Sequence, residues 1–140
     1  ASLTALYEAV KIFKPRRVIG ILGSQGGGRD KWKRAAMGKV AAKYCDELIL
    51  TNEDPYDEDP LAIIEDIEKG VLALPTTYHL PPTTYKVVDR REAIGKAISL
   101  AKKGDVVVIS GKGGEVVMCV EGGRKIPWSD KNIVEGFLGL

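Results

Sequence analysis

Short apolar runs alternate with helix-patterned segments along this chain, and that alternation limits the folds open to it more than any other feature. The runs are Val18–Leu22, Glu47–Leu50, 86–88 and 105–109. Three intervening segments carry helix punctuation. Asp89 with Glu92 forms a capping-box-like start, Ala93, Ile94, Ala97, Ile98 and Ala101 recur at helical spacing, and Lys102, Lys103 and Gly104 close the segment. Asp59 and Pro60 read as N-cap and first helical residue, with Ile63, Ile64 and Ile67 inward and Gly70 as the stop. Between 31 and 45, Met37, Val40, Ala41, Tyr44 and Cys45 make an apolar stripe opposite Lys39 and Lys43. Segments 3–13 and 129–138 read as further helices.

This order predicts an α/β fold with an open, mostly parallel sheet, right-handed crossovers and helices on both faces. Val106, Val107, Val108 and Ile109 lack polar alternation, as in a strand covered on both faces. Segment 115–120 follows after a short glycine turn and is expected to pair with it as one antiparallel edge strand.

At 140 residues there is room for one core. A net charge of +2 is too small to argue for nucleic acid, so any basic footprint must be local. No apolar stretch is long enough to span a membrane and no signal-peptide pattern opens the chain, so a cytoplasmic protein is expected, with neither membrane nor nucleic acid as partner. Cys45 and Cys119 lie far apart in apolar runs and read as small buried hydrophobes rather than a disulfide or metal pair. A start at Ala1 rather than Met suggests a processed or excised piece.

In an open parallel sheet, ligands bind beyond the carboxyl ends of the strands. Three unusual clusters fall there. Gly26, Gly27 and Gly28 follow the first strand and open a helix whose start carries Lys31, Lys33 and Arg34, although helix N-termini are already partly positive. An anion is expected nearby. After the second strand, Glu53, Asp54, Asp57, Glu58 and Asp59 place five carboxylates in seven positions. Asp57, Glu58 and Asp59 suit the following helix dipole, whereas Glu53 and Asp54 stand where a cationic ligand group would be met. The third cluster, Gly111 to Glu115, includes Lys112, which either reaches a phosphate or is solvated. Neither glycine cluster has dinucleotide-fingerprint or Walker spacing, so no self-sufficient nucleotide loop is present. The Pro- and Thr-rich segment 74–85 reads as a flap or as an ordered excursion, and carries His79, the only histidine, without a visible partner.

Four ordered motifs span nearly the whole chain: GGGRDKWKRAAM at 26–37, TNEDPYDEDP at 51–60, DRREAI at 89–94 and GDVVVISGKGGE at 104–115. Together they resemble the C-terminal, glutamate ligase-like domain of the Mur ligases, nearest the UDP-N-acetylmuramoyl-tripeptide synthetase branch, whose pattern is roughly GGxRDxxKRxxM, TxDNPRxEDP, DRxxAI and GDVVxxAGKGHE. The resemblance implies a Rossmann-like domain covering 1–140. It would bind the incoming amino acid and close over an ATP site carried mainly by a central ATPase domain. That domain and an N-terminal UDP-binding domain are expected to lie outside this chain, with residues 1–3 continuing a linker. ATP and Mg would be held mainly there, as would the UDP-linked muramoyl peptide. The fragment alone is not expected to be an enzyme; its parent would be an ATP-dependent ligase joining an acid to an amino acid.

Residue by residue, the resemblance assigns Arg29 to a carboxylate of the added amino acid, and Asp30, Lys33 and Arg34 to the nucleotide side. Glu53, Asp54 and Tyr56 occupy the D, N and R positions of the specificity motif, and Gly111 and Glu115 its last contacts; Gly114 replaces a histidine. Tyr56 cannot supply the positive charge with which an arginine would grip the distal carboxylate of meso-diaminopimelate. The acidity of Glu53 and Asp54 then suits a terminal ammonium, as in lysine or ornithine, unless Glu53 pairs internally with Lys112 or Arg29. Related ligases of the folylpolyglutamate, cyanophycin or lipid II type, and a free-standing non-catalytic interaction module, are the alternatives.

Overall fold

The computed structural model describes residues 2–28, 30–75, 80–112 and 117–140. In chain order the elements are α1 (Ser2–Val10), β1 (Val18–Leu22), α2 (Trp32–Tyr44), β2 (Glu47–Leu50), α3 (Pro60–Ala73), β3 (Thr83–Lys86), α4 (Arg90–Leu100), β4 (Val106–Ile109), β5 (Val117–Cys119), β6 (Lys125–Pro127) and α5 (Asp130–Leu138). Strands β3, β2, β1 and β4 lie side by side in that order, all parallel, with Gly20 opposite both Leu48 and Val108.

Alternation along the strands sorts the core into two layers. Leu22, Leu48, Leu50 and Val108 pack with Tyr7 of α1, Ala41 and Ala42 of α2 and Ile64 and Ile67 of α3. Ile19, Ile21 and Ile49 face the other way, onto Ala93, Ile94 and Ala97 of α4 and Ile133 of α5. Each fully buried Leu or Ile contributes about 1.5–3 kcal/mol over an exposed one, so the two layers carry most of the drive to fold. The expected α/β fold, with helices on both faces, is the one observed.

Asp59, Asp89 and Ser129 cap their helices by accepting from the amides of Leu61, Arg91 and Asn132. The expectation for Gly70 needs correction. It lies inside α3, which continues to Ala73 and gives way just before Pro75. A Cβ on Gly70 would stand 1.7 Å from the Ala35 carbonyl oxygen of α2, and one on Gly38 would stand 2.1 Å from the Ile67 oxygen of α3. These glycines let the two helices touch backbone to backbone. On α2 the buried residues are accordingly Arg34, Gly38, Ala41 and Ala42, while Met37, Val40 and Tyr44 are only partly covered.

Two strand expectations also shift. The third strand is Thr83–Lys86 rather than 86–88, since the β-branched and aromatic residues that form it sit directly behind the prolines. Segment 115–120 does not extend the main sheet: its described part, β5, pairs antiparallel with β6 in a separate ribbon. That ribbon is drawn over the end of β2, where Asp54 Oδ1 accepts from the Cys119 amide and the Tyr56 amide donates to the Cys119 oxygen. Strand β4 is therefore an edge of the parallel sheet, with Val108 alone fully buried.

A polar seam crosses the amino ends of the strands. Arg17 reaches Asp105 Oδ2 at 3.0 Å, Glu47 Oε2 at 2.8 Å and the Leu100 oxygen at 2.9 Å, and the Tyr85 hydroxyl donates to Glu47 Oε1. Burial works against the Asp105 carboxylate, but hydrogen bonds from Arg17, the Lys102 amide and Arg16 hold its pKa at about 2. The folded value lies below the ordinary carboxylate value of about 3.9, so this group's stabilisation is complete above that pH and disappears as pH falls through about 2. Asp105→Asn is expected to lower the melting temperature at neutral pH, with the gap to the parent closing between about pH 4 and pH 2 in thermal scans followed by circular dichroism.

Candidate functional site

Strand β1 has β2 on one side and β4 on the other, so the chain changes direction across the sheet between β1 and β4. At such a switch point the loops leaving the carboxyl ends diverge and open a crevice. Here it is a cavity of about 580 Å³. Ser24 and Gln25 line it from the loop after β1, Asp30 and Lys33 from the start of α2, Glu53 from the loop after β2 and Gly111 from the loop after β4. Leu3, Leu6 and Met37 add an apolar side.

The three clusters expected at this rim are interlocked. The Gly26 amide donates to the Asp54 oxygen at 2.7 Å, and a Cβ on Gly26 would meet the Pro55 oxygen at 2.0 Å, so only glycine lets the first loop lie on the second. Gly27 and Gly28 take φ of 82° and 76°, the left-handed region that glycine enters without strain. Lys112 Nζ stands 2.8 Å from Asp54 Oδ1, with both residues buried, which joins the third loop to the second. Lys112 is thus neither solvated nor extended towards an open cavity.

Arg34 is placed differently from the expectation of a nucleotide-side residue. Its side chain is 1% exposed and bonds Glu58 Oε1 at 3.0 Å, Asp66 Oδ2 at 3.0 Å and the Gln25 oxygen at 3.1 Å. Glu58 Oε1 also accepts from the Gly28 amide at 2.6 Å. The Arg34 guanidinium lowers the Glu58 pKa, with the Gly28 amide adding to it against the effect of burial. Arg34 therefore holds the glycine loop against α3. Amphipathic patterning misses this because an arginine at a helix start reads as solvated until its carboxylate partners are known.

Asp30 and Lys33 remain at the mouth, forming a mutual 3.2 Å ion pair with more than half of each side chain exposed. Glu53 is 7% exposed, and a Cβ on Gly111, whose φ is 108°, would come within 2.6 Å of Glu53 Oε2. Tyr56 has φ of 52°, is partly exposed and borders a second pocket of about 210 Å³ with Gln25, Gly26 and Gly27. Arg29 and Glu115 lie outside the described residues, as does His79, and the flap expectation for 74–85 falls partly there too.

One residue pair central to the rim went unread in the sequence. Arg90 is buried, bonds Asp130 through Nε–Oδ1 at 2.8 Å and NH2–Oδ2 at 2.7 Å, and donates to the oxygens of Asn52 at 2.9 Å and Ser110 at 3.1 Å. It ties the ends of β2 and β4 to the start of α5. The only available signal was its place in the DRREAI motif; nothing local points to Asp130. Both cysteines are free, Cys45 within the core. Among the described residues, no group of three or more His, Cys, Asp and Glu side chains is placed to hold a metal ion, and no helix is long and apolar enough to cross a membrane.

Residues 1–113 match the family model for the Mur ligase, glutamate ligase domain. The chain belongs to the Mur ligase family. This Mur ligase domain is 41% identical to the UDP-N-acetylmuramoyl-L-alanyl-D-glutamate–2,6-diaminopimelate ligase of Caldanaerobacter subterraneus subsp. tengcongensis, over 95% of the chain and 26% of that protein. It is 44% identical to the protein of the same name from Aquifex aeolicus, over 88% of the chain and 24% of the relative. With the UDP-N-acetylmuramyl-tripeptide synthetase of Borreliella burgdorferi the identity is 38%, over 96% and 25%. A solved UDP-N-acetylmuramoyl-L-alanyl-D-glutamate–2,6-diaminopimelate ligase superposes with a TM-score of 0.82 at 30% identity, covering 98% of the chain and 27% of that structure. The chain thus spans about a quarter of the length of these relatives.

Proposed function

We propose that this domain is the amino-acid-binding part of an ATP-dependent amide ligase of peptidoglycan synthesis, one that adds the third residue of the stem peptide to a UDP-N-acetylmuramoyl dipeptide. The observation that carries this reading is that Asp30 and Lys33 of the first motif, Glu53 of the second and Gly111 of the fourth line one cavity at the switch point. Such a ligase works in the cytoplasm, where ATP is available. ATP would supply the phosphoryl group that activates the acceptor carboxylate, and on the family resemblance ATP and Mg would be held mainly by other parts of the protein.

What this chain contributes is placement. Amide formation needs the amine within near-attack distance of an activated carbonyl, and a rigid rim supplies that orientation. Arg29 would take the carboxylate of the amino acid, since a guanidinium matches it in a bidentate fork. Glu53, Tyr56, Gly111 and Glu115 would surround its side chain. Asp30 and Lys33, open at the mouth, would face the nucleotide side when the domain closes.

The added amino acid, in this reading, ends in an ammonium group. Tyr56 offers no cation for a distal carboxylate, whereas Glu53, at the cavity wall, offers an anion for an amine. The named relatives include diaminopimelate ligases, so the assay must compare both. Full-length protein given UDP-N-acetylmuramoyl-L-alanyl-D-glutamate and ATP is expected to form ADP only when an amino acid is added. Its kcat/KM for lysine or ornithine is expected to exceed that for meso-diaminopimelate by about tenfold or more, the worth of one charge-assisted contact. A preference for diaminopimelate would refute the side-chain assignment, and activity only on a folate, cyanophycin or lipid-linked acceptor would move the domain to another branch.

A further inference from the structure

Asp54 lies in the acidic segment expected to meet the ligand, yet its polar atoms are directed into the protein. Its side chain is 3% exposed and that of Lys112 0%, with 2.8 Å between Oδ1 and Nζ. The same Oδ1 accepts the Cys119 amide at 2.8 Å, and the Asp54 backbone oxygen accepts the Gly26 amide at 2.7 Å. One residue therefore touches the loop after β1, the loop after β4 and the β5–β6 ribbon. Glu53, next to it, points to the cavity and lines it with Gly111; Asp54 does not line it. Both carboxylates are buried, but Glu53 lines the cavity whereas Asp54 is turned to Lys112.

We propose that Asp54 is a positioning residue, the buried counter-ion of Lys112 that joins three rim segments, and that choice among amino acids falls to Glu53 and Tyr56. This rests on the reading that the cavity takes the incoming amino acid. Two consequences follow from the physics of buried pairs. Removing one member takes from the other its partner at 2.8 Å inside the protein, whereas replacing both with neutral groups of similar shape is close to neutral. Asparagine at 54 still accepts the Cys119 amide, and methionine at 112 keeps the length of the lysine stem.

The test is a double-mutant cycle in the full-length protein, with melting and ligation kinetics measured on each variant. Asp54→Asn and Lys112→Met are each expected to lower the melting midpoint by about 5–10 °C, and the double variant to return within about 2 °C of the parent. In the double variant the KM for the amino acid is expected to stay within about threefold of the parent, while Glu53→Gln raises it about tenfold or more. A double variant that regains its melting midpoint but shows that same rise in KM would make Asp54 a substrate ligand and overturn the proposal. So would a double variant that melts no higher than the singles, since the pair would then not be each other's counter-ion. If the parent ligates no amino acid, the functional reading and the selectivity clause fail together, and the melting cycle still decides the Asp54–Lys112 pairing.

Discussion

Gly70→Ala is expected to destabilise the domain by about 3 kcal/mol or more, an unusually large effect for one added methyl group. The new Cβ would fall 1.7 Å from the carbonyl oxygen of Ala35, and backbone cannot rotate aside as a side chain can. The two helices would have to separate, withdrawing Ile64 and Ile67 from the layer they share with Ala41 and Leu48. Helix propensity acts the other way, favouring alanine over glycine by up to about 1 kcal/mol. Gly136→Ala in α5 isolates that contribution, because nothing lies within 4 Å of a Cβ there. Urea denaturation of the two variants should move the midpoint in opposite directions, down for Gly70→Ala and slightly up for Gly136→Ala. Equal shifts would show that α2 and α3 do not meet at Gly70.

Arg90→Met should cost about 3–5 kcal/mol at neutral pH, the usual consequence of leaving one member of a buried ion pair alone. Asp130 would keep the Trp128 Nε1 hydrogen bond and the attraction of the Lys112 charge, and the oxygens of Asn52 and Ser110 would each lose a donor. Burial alone would raise the Asp130 pKa, but hydrogen bonds from Arg90 and then Trp128 bring it below the ordinary value. In the parent, that contribution to stability is complete above about pH 4, the unfolded value, and declines as pH falls through the lower folded value. In Arg90→Met the carboxyl has lost its strongest support and takes up a proton more readily. The deficit measured by denaturant titration should therefore shrink from pH 7 towards pH 4. A deficit independent of pH would mean that packing of the arginine stem, and not the ion pair, sets the cost.

The elements that the sequence displays clearly are those whose signal is local. Val18–Leu22 and Glu47–Leu50 emerge with their observed bounds, and the caps Asp59 and Asp89 mark their helices because each cap bonds an amide two residues away. The rim was legible too: a fold with parallel strands places every post-strand loop at one end. Less legible was the meaning of a glycine or a charge within a helix. Gly70 has the composition of a stop, and only the approach of α2 gives it another purpose. Segment 115–120 has strand character, but pairing depends on which edge is nearer, and the ribbon partner lies downstream at Lys125–Pro127.

Among the candidate site residues the same division holds. Glu53 and Asp54 are neighbours of one chemical class, and no pattern in the chain separates the carboxylate at the cavity from the one beneath it. Arg34 follows Lys33 on the same helix, yet one is buried among carboxylates and the other is at the mouth. Periodicity, capping and motif order are properties of neighbouring residues, so the sequence alone settled the α/β class, most element positions and the place of the rim. Ion-pair partners are chosen across 58 residues for Lys112 and Asp54 and across 40 for Arg90 and Asp130. Only the folded structure decided which charges are shared inside the protein and with which partner, because a charge withdrawn from water must find its partner in space rather than along the chain.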